Sequence, residues 1–349
     1  MITNNRRLGD LSKKTVSICL IGAGRAGMIH ARNYKNMVPG ARIAAVADPF
    51  EEACKKACEE LEIDRYYLDY REVLKQADID AVVVVSPTKY HRDIVVDAAD
   101  AGKHILCEKP MAMNEKECEE MIEAAERNHV KLQLGFMRRF DESFAEAKKA
   151  IDSGAIGAVV EIRSVTRGPS KPQEWMYDIE KSNGPLAEVN SHDIDCIRWL
   201  AGSELEHVYA IGGNYRNPEI KAQWPDFYDN VVLSGRFKNG ITAVIEGAQY
   251  VKYGYDAHVE VLGTDGVIHI GRNDAYGYHV TTKELGTHTP FISSWTTLFK
   301  DAYLAEDKHF VDCILNDKTP SVTGTDGKMA VKIVNAGNTS IKTGTIVRL

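Results

Sequence analysis

The chain has no apolar run approaching the ~20 residues that a membrane-spanning helix needs. It has no block of about five like charges, no internal repeat and no low-complexity tract. A transmembrane helix is therefore excluded, and the electrostatic footprint of a nucleic-acid binder is missing. Its 43 Lys and Arg against 50 Asp and Glu leave a mildly acidic −7. The N-terminal stretch MITNNRRLGDLSKK carries charges but no apolar h-region, so no signal peptide is expected. Cysteine is sparse and odd in number: Cys19, Cys54, Cys58, Cys107, Cys118, Cys196 and Cys313. Cys54 and Cys58 have no second Cys/His pair nearby, so no zinc site or other metal site is expected. Reduced thiols and a cytoplasmic location follow as the expectation.

What the chain does have is enough apolar residue, 44% of 349, for about two domains with buried cores. The first part alternates short apolar runs (Val16–Ile21, Arg42–Ala47, Ala81–Val85, His104–Cys107, Lys131–Leu134) with amphipathic stretches (Met28–Asn36, Glu51–Leu61, Tyr70–Gln76, His91–Ala101, Glu115–Asn128). Continuous β-branched runs alternating with helices imply βαβ units around a buried parallel sheet. After Phe136 the pattern changes. A helix over 142–153 and a strand over 159–164 precede an irregular segment, 168–185. A helix is expected over 186–201, then strands over 208–212, 230–237, 241–250, 257–262 and 267–270, and helices over 295–315 and 326–343. Asn239-Gly240 predicts a type I′ hairpin turn, and Thr264-Asp265-Gly266 a second hairpin. The expected fold is α/β: a dinucleotide-binding domain over 1–136, and over 137–349 an α/β domain with an open, largely antiparallel sheet, whose last helix packs back on the first domain.

Gly22-Ala23-Gly24-Arg25-Ala26-Gly27 joins the first strand to the first helix. A lone GxGxxG is weak evidence, but here strand, glycines, helix, strand and acid come in order. Gly22 permits the tight turn, Gly24 lets a pyrophosphate approach, and Gly27 lets helix and sheet pack closely. The N–H groups at Arg25 and Ala26 open the helix toward the phosphates. Asp48 ends the second strand, where it can accept from both ribose hydroxyls and would repel a 2′-phosphate, so NAD is preferred to NADP. Ser86, Pro87 and Thr88 follow another parallel strand, where ligands sit in such sheets. They and His91, which opens the next helix, are further candidates for the cofactor site, although turn and capping roles fit them as well.

Cys107-Glu108-Lys109-Pro110, with the glycine fingerprint, SPTKYH, AGKHIL and GFMRRFD, resembles the Gfo/Idh/MocA family of oxidoreductases, in particular its inositol 2-dehydrogenase branch and the related sugar dehydrogenases. The resemblance extends over nearly the whole chain. It implies a Rossmann domain followed by a domain that supplies the substrate pocket and the contacts of a homodimer or homotetramer. It places Glu108 and Lys109 at the cofactor and Lys109 between nicotinamide and substrate. His192 becomes the general base and Glu188 its partner, where the family usually has Asp. It favours Arg139 as a hydroxyl contact, with Asp195 and Tyr253 as weaker pocket candidates. Thr166 stands where inositol dehydrogenases often carry a polyol-binding His.

Glu188, His192, Asp195 and Trp199 are spaced 4, 3 and 4, so one continuous helix would put them on one face. A polar helix face is usually solvated. This one combines an imidazole, two carboxylates and an indole, just after an irregular segment. Alternatively, Glu188 lies in a turn before a helix capped at Asn190 or Ser191. Oxidising a secondary alcohol requires loss of a hydride from carbon and of a proton from oxygen. Histidine suits the proton step, a carboxylate can orient it, and an ammonium can stabilise a developing alkoxide. The expected activity is NAD-dependent oxidation of a CH–OH group of an inositol or sugar. Other readings are a sugar or glycoside 3-dehydrogenase that recycles a tightly held NAD, an NAD-using glycosidase, and a non-catalytic NAD-binding regulator.

Overall fold

The computed structural model describes residues 15–271, 274–275, 278–284 and 286–349. Six strands form a wholly parallel sheet: β1 (Val16–Ile21), β2 (Ala41–Ala47), β3 (Tyr66–Tyr67), β4 (Ala81–Val84), β5 (His104–Cys107) and β6 (Leu132–Leu134). Their order is β3-β2-β1-β4-β5-β6. Helices α1 (Arg25–Asn36), α2 (Glu51–Leu61), α3 (Tyr70–Leu74), α4 (His91–Asp100) and α5 (Glu115–Arg127) alternate with them. Every residue of β1 (VSICLI) and β4 (AVVV) is buried, because helices cover both faces. The strand order reverses between β1 and β4, which opens a crevice at their carboxyl ends. Gly22 and the Ser86 turn lie there.

The second part holds α6 (Glu142–Asp152), β7 (Val159–Gly168), α7 (Ile179–Ser182), α8 (Gly184–Glu188), α9 (Ser191–Ala201), β8 (Leu205–Gly213), β9 (Asn230–Phe237), β10 (Thr242–Gln249), β11 (Asp256–Gly263) and β12 (Val267–Ile270). A small hairpin, β13 (Val280–Thr282) and β14 (Gly286–His288), precedes α10 (Trp295–Leu298), α11 (Lys300–Leu315), α12 (Gly324–Thr343) and β15 (Val347–Arg348). The large sheet runs β12-β11-β7-β10-β9-β8-β15 and is mixed, with β7 and β10 parallel and the other pairs antiparallel. Helix α12 touches both parts through bare backbone. A Cβ on Gly327 would lie 2.7 Å from Met111 Sδ and 2.9 Å from Leu134 Cγ, and one on Gly337 would lie 2.6 Å from Leu186 Cδ1. Among the described residues no helix is long and apolar enough to cross a membrane.

Several local expectations need correction. The helix expected over 186–201 is two helices, α8 and α9, separated by Val189 and Asn190. Pro185 opens the first, and the Asn190 side chain turns inward to donate to Asp193. Gly247 leaves the space for it, since a Cβ there would sit 1.9 Å from Asn190 Oδ1. Glu188 therefore precedes a helix capped at Asn190, as the alternative reading has it, and does not share a face with His192, Asp195 and Trp199. That face is not solvated either, for His192, Asp193 and Asp195 are all buried. The turn at Asn239-Gly240 is not type I′. Only Gly240 has positive φ, and the Phe237 N–H bonds to Ile241 O, which makes a three-residue loop. The helix expected over 295–315 breaks at Phe299. The last helix starts two residues earlier than expected, at Gly324, because Thr323 and Asp326 form a capping box. Irregular segment 168–185 contains α7, and the short edge strand β3 carried no readable signal.

Candidate active site

The glycine turn shows what each glycine is for. Gly22 has φ +102°, and a Cβ on it would meet Val85 O at 2.7 Å. A Cβ on Gly27 would meet Gly22 O at 2.1 Å, so α1 leans directly on the turn. Gly24, the residue before α1, faces open space and no side chain caps the helix. The N–H groups of the first turn are thus free for an anion. Asp48 holds the turn from the side. Its carboxylate accepts from Ala23 N and Phe50 N, both at 2.9 Å. Arg25 is exposed and its guanidinium lies 5.2 Å from the centre of the Trp295 ring. Across the crevice, Ser86 Oγ is buried without a hydrogen-bond partner. Pro87 is exposed and Thr88 buried. His91 is buried with one ring nitrogen 2.7 Å from Ser86 O and the other 2.9 Å from Pro110 O. It packs between the Ser86 turn and the Glu108-Lys109-Pro110 turn, and as a neutral ring it gives its single N–H to one of the two carbonyls. Burial keeps its pKa below the ordinary range, against the pull of those carbonyls. These features fit a dinucleotide: a bare turn, uncapped helix N–H groups, an acid beside them and a spare buried hydroxyl.

The chemistry-bearing residues meet just beyond β5. Lys109 Nζ donates to Glu188 O at 2.9 Å. His192, at the start of α9, is buried, and its ring meets Phe136 edge-on at 6.0 Å. Burial, reinforced by the positive charges of Lys109 and Arg138, holds its pKa well below the ordinary value, so the ring is neutral at pH 7. Burial raises the Glu188 pKa while Lys109 pulls it back. Lys109, Glu188 and His192 are thus brought into one electrostatic environment. The expected Glu188–His192 hydrogen bond is not made through Nδ1, which is buried without a partner.

Behind His192 lies a buried ion pair. Arg138 Nη1 donates to Asp193 Oδ1 at 2.8 Å and Nη2 to Thr166 Oγ1 at 2.6 Å. Asp193 also accepts from Ser164 Oγ, Thr166 Oγ1 and Asn190 Nδ2. The Arg138 guanidinium sits 5.4 Å from the Phe299 ring centre. Thr166 is consumed by this network. Arg139 and Asp195 are given to each other in a two-pronged contact, and Arg139 Nη2 reaches Asp326 at 2.8 Å. That ties α9 to α12. Tyr253 is half exposed. Its hydroxyl donates to Asp256, which also meets Arg167 and His258. Sequence reasoning gave no functional role to Asp193, His30, Glu306 and Asp307, and named Asn190 only as a helix cap. The available signal was charge in a buried stripe: Glu306 and Asp307 fall at helical spacing with the buried Tyr303 and Phe310.

The chain is similar to known proteins over nearly its whole length. Residues 16–136 match the model of the Gfo/Idh/MocA oxidoreductase family, described as an NAD-binding Rossmann fold, and residues 144–269 match a C-terminal domain of the same family. A scyllo-inositol 2-dehydrogenase (NAD(+)) of Bacillus subtilis is 35% identical over 96% of both chains. A myo-inositol 2-dehydrogenase of Thermotoga maritima is 34% identical over 95% of this chain and 98% of its own. The crystal structure of scyllo-inositol dehydrogenase from Lactobacillus casei, with NAD(H) and scyllo-inositol bound, superposes with a TM-score of 0.88. It is 29% identical and covers 96% of this chain and 99% of its own.

The Arg138–Asp193 pair yields the first prediction. Replacing Asp193→Ala leaves a buried guanidinium uncompensated, which costs about 3–5 kcal/mol. Urea unfolding should show a midpoint lowered accordingly. An unchanged midpoint would mean the pair does not hold α9 in place.

Proposed function

The chain belongs to the Gfo/Idh/MocA family of oxidoreductases, and from that premise we propose that it oxidises one secondary alcohol of an inositol or a closely related cyclic polyol with NAD. The observation that carries the reading is that the Lys109 ammonium, just past β5, is held by the Glu188 carbonyl and acts electrostatically on both Glu188 and His192. NAD, when bound, supplies the hydride acceptor. Gly22, Gly24 and the N–H groups of Arg25 and Ala26 would hold its pyrophosphate. Asp48 would take the ribose hydroxyls and disfavour a 2′-phosphate. Ser86, Pro87 and Thr88 would line the far side, with His91 and Glu108 supporting them from beneath.

On the substrate side, Lys109 has three N–H donors, one of them committed to Glu188 O. The other two are available to a substrate oxygen, where the ammonium stabilises negative charge as the proton leaves. His192, neutral through burial and two neighbouring cations, takes that proton. Nδ1 is enclosed, so Nε2 is the nitrogen that meets the hydroxyl. Glu188 fixes Lys109 through its carbonyl and leaves its carboxyl for a neighbouring hydroxyl. Thr166, turned into the Arg138–Asp193 network, offers no imidazole to the ring, so the set of polyol contacts differs from that of inositol dehydrogenases with His there. Arg139 and Asp195 act by joining α9 to α12 and not by touching substrate. Tyr253 is half exposed and its hydroxyl is given to Asp256.

We also infer a homo-oligomer formed through the outer face of the large sheet. Ile211 and Val232 pair across β8 and β9, Leu262 and Val267 pair across β11 and β12, and all four stay exposed. Sedimentation should give a dimer or tetramer that Ile211→Glu with Val232→Glu weakens. A wild-type monomer would contradict this.

The catalytic reading is tested by NADH absorbance with a panel of inositol isomers, sugars and glycosides. His192→Asn should lower kcat by about 10²–10⁴-fold. NAD affinity, measured by fluorescence titration, should stay within about twofold of the wild type. Protonation of His192 abolishes the base, and its pKa lies well below 6.5, so the wild-type acid limb should fall only at pH below ~6.5. Undiminished turnover in His192→Asn would rule the assignment out.

A further inference from the structure

Beneath the Glu108-Lys109-Pro110 turn lies a buried charge cluster that the reaction as described does not use. His30, in the second turn of α1, is wholly buried. Its Nδ1 lies 2.7 Å from Asp307 Oδ1 and its Nε2 3.2 Å from Glu108 Oε1. Asn33 Nδ2, one turn on in α1, donates to the other Asp307 oxygen at 2.8 Å. The second oxygen of Glu108 accepts the backbone N–H of Lys109 at 3.0 Å. Gly135 lets the Glu108 carboxylate lie against the chain, for a Cβ there would be 2.9 Å from it. Tyr303 meets His30 edge-on at 5.4 Å and Trp295 at 5.6 Å, and Trp295 lies under Arg25 at the glycine turn.

A neutral imidazole has one N–H and cannot donate to two carboxylates, whereas an imidazolium can. Burial opposes the charge, yet Asp307 and Glu108 outweigh it and hold the His30 pKa well above its ordinary value. Both bonds are therefore charge-assisted. Glu306 lies in the same pocket, buried, with neither carboxyl oxygen hydrogen-bonded. Burial and the neighbouring Glu108 push its pKa far up, so it stays neutral and adds no competing negative charge.

We propose that His30 is a positioning residue for hydride transfer: its two hydrogen bonds fix Glu108, and Glu108, through the Lys109 N–H, fixes the catalytic lysine relative to α1. The inference rests on the dehydrogenase reading of Lys109. Its physical content is that one rigid helix addresses both reactants. The first turn of α1 is open to the dinucleotide, and about 7.5 Å along the same helix from Arg25, at 1.5 Å per residue, His30 grips the lysine turn. Asp307 anchors that grip from α11. A displacement of ~1 Å between reacting groups costs up to about 10²-fold in rate, so such a link acts on kcat more than on binding.

The test is steady-state kinetics of the full-length enzyme with NAD and the best polyol of the panel, using protonated and carbon-deuterated substrate. His30→Gln keeps one donor nitrogen, replaces the second by an acceptor oxygen and loses the charge. It should lower kcat by about 10–100-fold and leave KM for NAD and polyol within about threefold. The primary isotope effect on kcat should rise, because the hydride step becomes slower than product release. Adding Glu108→Gln to His30→Gln restores an uncharged amide pair and should recover part of the loss. Should His30→Gln fail to fold, Asp307→Asn keeps the shape and weakens the grip. It should show the same split at about 3–10-fold in kcat. Wild-type kcat and isotope effect in a folded variant, with only a lowered melting point, would reduce the cluster to a structural role and overturn the proposal. Absence of NADH from the wild type with every polyol would overturn the dehydrogenase reading and this inference with it, and that result is distinguishable from the first.

Discussion

The site depends on a guanidinium placed where water cannot reach it. Arg138 follows the last strand of the parallel sheet, and its partner Asp193 lies in the first turn of α9, one residue past His192. Desolvating both charges is expensive, and the pair repays it only with good geometry and further hydrogen bonds. Those bonds are present from Ser164, Thr166 and Asn190, with Phe299 beneath the guanidinium plane. The consequence for function is twofold. The start of α9 is fixed against the end of the first sheet, so the imidazole of His192 has a set position. Burial keeps that ring neutral, and the positive charges of Lys109 and, less strongly, Arg138 act in the same direction.

The cofactor side follows a similar logic with different means. There the backbone does the positioning. Gly22 and Gly27 are packed so closely that no side chain fits, while Gly24 is left open. Asp48 steadies the turn through two N–H groups and still faces the place where a ribose would lie. The two sides are joined at the lysine turn. His91 holds its Pro110 carbonyl, Glu108 holds its Lys109 N–H, and Glu188 holds the ammonium itself. The turn is thus held from α4 through His91 and from α8 through the Glu188 carbonyl, while its own Glu108 braces the Lys109 backbone.

Much of this was legible in the sequence because it obeys local rules. Buried β-branched runs, a glycine turn before a helix and an acid after the second strand each carry their own physics. The Glu-Lys-Pro turn and the His on the later helix were legible by resemblance. What escaped depends on contacts between distant segments. A helix capped at Asn190 with Glu188 ahead of it was one of two readings open in the sequence, but nothing near Pro185 says that the Asn190 side chain will turn inward toward Gly247 and so decide between them. Arg138 and Arg139 are adjacent and chemically equal, yet one pairs with Asp193 and the other with Asp195 and Asp326. Only the fold decides that. His30, Glu306 and Asp307 lie on helices that the sequence marks only as helices, and a buried charge is visible only when its partners are.

The central claim is that a hydride passes directly from a polyol carbon to the nicotinamide while His192 takes the hydroxyl proton. The most direct measurement is the fate of deuterium placed on the reacting carbon of an inositol, followed by mass spectrometry and NMR of the NADH formed. The account requires the label at C4 of the reduced nicotinamide, on one face, with none lost to water. Label appearing in solvent, or release of a leaving group without labelled NADH, would contradict it.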